Sequence, residues 1–346
     1  MIQLGKVRNK GVYFNSENSF NDHTLILGKS GAGKTVFAEK MLLQIIKEGG
    51  TIVAIDLHQA MNTDKIPEEF REEFIKNSHE VKAHDSGIPC PLFTPMRLSD
   101  QKYETFSETV LSVTNMLAQA FQLQFKQKAA LKAAVEYVCA NDLYRERGIK
   151  ALSEPLLSCN TDSAVSVAYK LEGVIEHNIF VDGSLFIQEN KINMVRLSQF
   201  DTGTQVDVAE VILSYIWGRV SLGKIPFERL YICIDEFHVI SLGNKSTIAQ
   251  ILSEGRKFNT NLILITQSLT MYFNGSQQKR LMQSGLQIYF RPPGNESRII
   301  ARLLEPDDVR SWEQILRGLQ RGEFIGSGPL LINGVTLERP LKITSY

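Results

Sequence analysis

The sequence lacks paired cysteines. Cys90, Cys139, Cys159 and Cys233 are scattered through 346 residues with no CxxC spacing, which argues against a zinc ribbon or a disulfide framework and fits a reducing cytoplasm. Long apolar runs are also missing. None approaches the roughly 18 residues of a membrane span, and the opening MIQLGKVRNKGVYF has no uninterrupted apolar core of the signal-peptide kind. A protein of this kind works at a membrane only by recruitment. Net charge is absent as well, with Lys and Arg totalling 38 against 38 for Asp and Glu. An anionic partner must therefore be met by a local patch. The six histidines show no metal-ligand spacing, and spacing alone supports no Ser-His-Asp or Cys-His arrangement.

What is present is a recurrence of short apolar runs rich in β-branched residues. HTLILG (23 to 28), GTIVAIDL (50 to 57), KINMVRLS (191 to 198), LYICIDEF (230 to 237), NLILITQ (261 to 267) and LQIYFR (286 to 291) are apolar at successive positions. That pattern suits parallel strands covered by helices on both faces, so the fold class is α/β. Between the first two runs, Phe37, Met41 and Ile45 recur every four residues beside Leu42 and Ile46, and Gly49-Gly50 supplies a stop. This is one βαβ unit. From about 100 to 180 the pattern turns helical, with Leu111, Met116, Leu117, Phe121, Leu131, Val135 and Val138 on candidate buried faces. We read it as a helical insertion at one edge of the sheet. No repeat or flexible linker divides the chain, which reads as a single domain over 1 to 346.

The strongest motif is GKSGAGKT, Gly28 to Thr35. It fits G-x-x-x-x-G-K-[ST] between an apolar strand and an amphipathic helix, the context that motif requires. Gly28, Lys29, Ser30, Gly31, Ala32, Gly33, Lys34, Thr35 and Val36 are candidate phosphate-binding residues: glycines turn backbone N–H groups inward, the helix dipole adds to them, Lys34 reaches the β and γ oxygens, and Thr35 ligates Mg²⁺. A second carboxylate is expected at another strand end. ICIDEF supplies Asp235 for the Mg²⁺ shell and Glu236 to polarise the water that attacks the γ-phosphate. ATP and Mg²⁺ are the expected cofactors. In P-loop proteins with a catalytic glutamate, an extra strand lies between these two and ends in a polar residue beside the γ-phosphate, which assigns Gln267 as a sensor. Arg256, in the EGRKF stretch before that strand, is placed to reach a neighbour's nucleotide as an arginine finger. The alternative is that Arg256 or Lys257 caps a helix or pairs with Glu254.

Taken together, GKSGAGKT, AIDLHQ, GIPCPLF, KLEGVIEHNIF, CIDEFHVI, ILSEGRKFNTNLILITQS and LRGLQRGEFIG resemble the HerA/FtsK superfamily of DNA-pumping ATPases over nearly the whole chain. The likeness is to HerA and to the ATPase cores of conjugation and type IV secretion motors. It implies a RecA-like core, a homo-hexameric ring, a central channel for double-stranded DNA, and a finger role for Arg256. Lys34, Thr35, Asp235, Glu236 and Gln267 inherit their roles by position, while Asp56 matches an acidic strand end without a firm role. HerA proteins usually carry an amino-terminal β-barrel, often used to dock a nuclease. Only 27 residues precede Gly28, so no such barrel is expected here.

From Lys245 to Arg302, eight Lys and Arg stand against Glu254 and Glu296, a local excess of six positive charges. Within this patch Lys279 and Arg280, near Tyr272 and Phe273, are candidate DNA contacts. The competing reading packs both aromatics in the core. Three rivals to the DNA pump stand: a conjugation or secretion ATPase, a viral-type genome-packaging motor, and a nucleotide-controlled scaffold in a nuclease-containing complex.

Overall fold

Six of the strands follow the apolar runs, and they lie side by side. In the computed structural model, which describes residues 1–99, 102–223 and 227–345, thirteen strands form one sheet. They are β1 (Ile2–Val7), β2 (Lys10–Phe14), β3 (Thr24–Leu27), β4 (Thr51–Asp56), β5 (Ser78–Val81), β6 (Ile192–Arg196), β7 (Leu230–Ile234), β8 (Thr260–Thr266), β9 (Leu286–Phe290), β10 (Glu323–Ser327), β11 (Leu330–Ile332), β12 (Val335–Leu337) and β13 (Leu341–Thr344). Their spatial order is β12-β11-β2-β1-β13-β10-β9-β3-β8-β7-β4-β6-β5. From β9 to β5 every neighbouring pair is parallel. From β9 outward through β10 the pairing turns antiparallel. This antiparallel wing has no counterpart in the apolar runs.

Side-chain alternation divides the parallel half between two cores. Leu25, Leu27, Val53, Ile55, Ile232, Ile234, Leu262 and Leu264 face one layer. Ile26, Ile52, Ala54, Tyr231, Cys233, Ile263 and Ile265 face the other. Burial on both faces is why these strands read as continuous apolar runs.

Helix α1 (Lys34–Lys47) covers the second face with Phe37, Met41, Leu42 and Ile45. It ends as the glycine pair requires. Gly49 has φ +81°, its N–H donates to Ile46 O, and the Gly50 N–H donates to Ile45 O at 2.9 Å, which is a Schellman stop. The first face carries α2 (Phe106–Ala120), α3 (Phe125–Cys139) and α4 (Thr202–Val220), and shorter helices continue the helical stretch to Glu176. Met116, Leu117, Phe121, Leu131, Val135 and Val138 are buried there. Leu111 is 53% exposed, because it sits on the outward side of α2. A buried Arg219–Glu104 pair at 3.0 Å ties the start of α2 to the end of α4.

His23, at the root of β3, is buried, and its Nδ1 accepts the Leu262 N–H of β8 at 3.0 Å. Burial pushes its pKa down from 6.5 to about 4, against the backbone carbonyls of Ile251 and Leu252 that favour the charged ring. The unfolded chain takes up a proton here below about pH 6.5, while the folded ring stays neutral to about pH 4. This group's contribution to stability is thus fully present above that window and is lost as pH falls through it, by up to about 3 kcal/mol. We expect urea-unfolding midpoints of His23→Gln to fall less than those of the parent between pH 7 and pH 4. Parallel pH profiles would contradict the assignment.

Candidate nucleotide site

The site is built where three adjacent parallel strands end. β3 runs into Gly28, whose φ is +153° and where a Cβ would come within 2.6 Å of Phe290 Cβ on β9. Only glycine lets the loop leave the sheet this close to its neighbour. Gly31 (φ +76°) and Gly33 (φ +108°) turn the chain back into α1. Gly33 is the α1 N-cap and offers no side-chain bond, so the first-turn N–H groups are left for an anion. Lys34 is buried, with Nζ 2.6 Å from Gly28 O and 3.3 Å from Lys29 O. Its pKa is lowered by burial, against the charges of Glu236 and Asp235.

Strand alternation would place Asp235 and Glu236 on opposite sides of the sheet. Glu236 instead adopts the left-handed region, φ +52°, an unfavourable choice for a non-glycine residue. Both carboxylates then line one cleft, while Phe237 turns into the core and stacks on Phe273 at 5.0 Å. Gln267, directly after β8, donates from Nε2 to Glu236 Oε1 at 2.7 Å. The cleft measures about 520 Å³ and gathers Ser30, Gly31, Gly33, Lys34, Thr35, Val36, Asp235, Glu236 and Gln267. Of the remaining P-loop candidates, Gly28 and Lys29 lie behind Lys34 and accept its ammonium, and Ala32 is buried.

The two acids are pushed apart. Burial, with the adjacent Glu236 charge, raises Asp235 to about 6. Burial also raises Glu236, but the adjacent His238 ring, the Gln267 hydrogen bond and the charge of Lys34 outweigh it, leaving its pKa below the ordinary value. Glu236 is therefore an ionised carboxylate at neutral pH. Among the described residues no group of three metal-ligating side chains occurs. One carboxylate and the Thr35 hydroxyl in the same cleft are instead the protein share expected for Mg²⁺ held jointly with phosphate oxygens. Asp235 and Thr35 fit that ion.

Other assigned residues lie elsewhere. Arg256 precedes the first residue of β8, at the opposite end of the parallel ladder from the P-loop, and seven strand residues separate the two ends by roughly 23 Å. Arg256 is exposed, and Lys257 takes the Glu254 contact at 3.9 Å. Lys279 is exposed. Arg280 directs its donors inward, to Leu242 O at 3.1 Å and Asn244 Oδ1 at 2.9 Å. Phe273 is buried, whereas Tyr272 lines the nucleotide cleft. Asp56 is buried, accepts the Ala60 N–H at 3.0 Å and pairs with Arg196 at 3.4 Å.

Sequence reasoning assigned no cleft role to three groups that lie near it. His238 Nδ1 lies 3.3 Å from Glu236 Oε2, and its ring stacks on Tyr272 at 3.8 Å. Its position two residues past Glu236 was the available signal. Glu39, one turn after Thr35 on α1, is buried with Oε2 lacking a hydrogen-bond partner; burial and the charges of Asp235 and Asp56 raise its pKa to about 8. Arg321 also lines the cleft, brought there by a distant turn.

A family model described as "Helicase HerA, central domain" matches residues 2–216. The chain belongs to the HerA helicase central-domain family. The DNA double-strand break repair helicase HerA of Saccharolobus solfataricus is 23% identical over 336 aligned residues, covering 89% of this chain and 60% of that protein. The HerA-family chain thus spans about 60% of that relative's length. Among solved structures, VirB4 of Thermoanaerobacter pseudethanolicus superposes with a TM-score of 0.68 at 18% identity, covering 100% of this chain and 96% of VirB4. The plasmid coupling protein TrwB in complex with ADP and Mg²⁺ superposes with a TM-score of 0.63 at 12% identity, covering 94% of this chain and 85% of TrwB. The HerA-family chain shares their RecA-like fold. Among its described residues no helix is long and apolar enough to cross a membrane.

Proposed function

We propose that residues 1–346 form one RecA-like unit that hydrolyses ATP and, as a homo-hexameric ring in the cytoplasm, moves double-stranded DNA. The observation that carries this reading is the convergence of Lys34, Thr35, Asp235, Glu236 and Gln267 on one cleft, with the Gln267 amide already on the Glu236 carboxylate at 2.7 Å. In this scheme the loop N–H groups and Lys34 hold the β and γ oxygens, and Thr35 and Asp235 hold Mg²⁺. Bound Mg²⁺ supplies charge neutralisation on the phosphates. Glu236, ionised, orients the attacking water and accepts its proton as the bond from water oxygen to the γ-phosphorus forms and the bond to the leaving β-phosphate oxygen breaks. A γ-phosphate oxygen competes with Glu236 for the Gln267 amide, so occupancy of the cleft is read by the same side chain that holds the base.

Arg256 is too far along β8 to serve its own cleft, and its free, exposed guanidinium suits the cleft of a neighbouring subunit. That geometry is the support for a ring. Double-stranded DNA as cargo rests on the family likeness and on the local positive patch. Lys279 remains a candidate phosphate contact, while Arg280 holds the loop at 242 to 244. A nuclease, secretion or packaging partner would act through surfaces outside the cleft.

Lys34→Ala should abolish ATP turnover, and Glu236→Gln should bind ATP yet hydrolyse it at least about 100-fold more slowly. Both are read by phosphate release and equilibrium binding, and undiminished turnover in either variant contradicts the assignment. Arg256→Ala should also be inactive. Mixed with Glu236→Gln under conditions of demonstrated subunit exchange, it should regain measurable hydrolysis, because some interfaces then pair an intact finger with an intact cleft. No recovery after exchange would remove the role between subunits.

A further inference from the structure

The turn before β10 is fastened to the P-loop, and it carries an arginine that the scheme above does not use. Gln320 O accepts the Glu323 N–H at 3.0 Å, the Glu323 carboxylate accepts the Gln320 N–H at 2.9 Å, and Gly322 has φ +81°. These are the marks of a type II turn with Arg321 and Gly322 at its centre. The Gly322 N–H donates to Ala32 O of the P-loop at 3.1 Å, and its carbonyl accepts the Ser345 N–H at 2.8 Å. A Cβ on Gly33 would lie 3.5 Å from Gly322 N, so turn and P-loop are in direct contact. Arg321 is thereby held at the wall of the nucleotide cleft.

No described residue neutralises it. Among the described residues Arg321 has no ion pair, and the adjacent Glu323 is already engaged by Lys342 at 3.0 Å and by the Gln320 N–H. Its place across the sheet indicates which part of a ligand it meets. Gln267 and Glu236 follow β8 and β7, on one side of β3; the turn precedes β10, on the other side beyond β9. A phosphate chain lying along the P-loop with its γ end at Gln267 directs its nucleoside end toward Arg321.

We propose that Arg321 binds the nucleotide from within the same subunit, at the phosphate end shared by ATP and ADP. The inference rests on the ATP-binding reading above. A guanidinium can donate two parallel hydrogen bonds to such a phosphate, and the fastened turn limits the ordering cost.

The test is calorimetric titration of the full chain with Mg-ATP and with Mg-ADP, alongside thermal unfolding. Arg321→Ala should weaken both nucleotides by about 10- to 100-fold, with their ratio and the unfolding temperature unchanged. Arg321→Lys should restore part of the loss, and Gln267→Ala should weaken ATP more than ADP. Equal binding by Arg321→Ala and the parent overturns the proposal, as does a loss confined to ATP, or a loss that tracks a lowered unfolding temperature. If the parent binds neither nucleotide, the ATP-binding reading falls and takes this one with it; a parent that binds beside an unaffected variant removes Arg321 alone.

Discussion

The placement of β8 between β3 and β7 is the constraint on which the site depends. Parallel pairing puts the carboxyl ends of all three strands on one edge, so the P-loop, Gln267 and the Asp235-Glu236 pair must meet there. The same pairing sends the opposite end of β8 away from the cleft, and Arg256 with it. One strand thus ends in Gln267 at its own cleft and begins just after an arginine that this cleft does not reach. The buried bond from Leu262 to His23 fixes the root of this ladder, and the close approach of Gly28 to Phe290 fixes its exit.

Charge in the cleft is arranged around an excess of acid. Asp235 and Glu236 lie beside Lys34, whose pKa is lowered by burial, and the buried Glu39 lies near Asp235. Glu39 is held neutral and Asp235 is raised, while Glu236 alone is kept readily ionised. A divalent cation and a polyphosphate would complete that balance, the cation against the acids and the phosphates against Lys34 and the helix amino terminus. The left-handed turn at Glu236 is the local strain that makes the arrangement possible, and packing of Phe237 on Phe273 maintains it.

Much of this was legible in the chain because the central strands are buried on both faces. Each of the six apolar runs corresponds to a strand, and the residues that follow three of them, the P-loop, Asp235-Glu236 and Gln267, mark the cleft. β5 was not legible: it lies at the sheet edge, where His79 and Glu80 are not fully covered. The antiparallel wing was hidden for a related reason, since β11 and β12 are three residues each and only partly buried. Leu111 shows a different limit, because periodicity marks a helix face without showing what covers it. Tyr272 and Arg321 reach the cleft through a stacking contact and a packed turn, and although both stand in stretches singled out in the sequence, nothing local there points either of them to the cleft.

The central claim is a motor that couples ATP hydrolysis to duplex DNA. Its most direct test is the steady-state ATPase rate of the chain with and without linear duplex DNA, with Lys34→Ala as the blank. The account predicts turnover above the blank that rises strongly with duplex. Turnover indifferent to duplex would contradict the DNA motor and leave an ATPase whose cargo is something else.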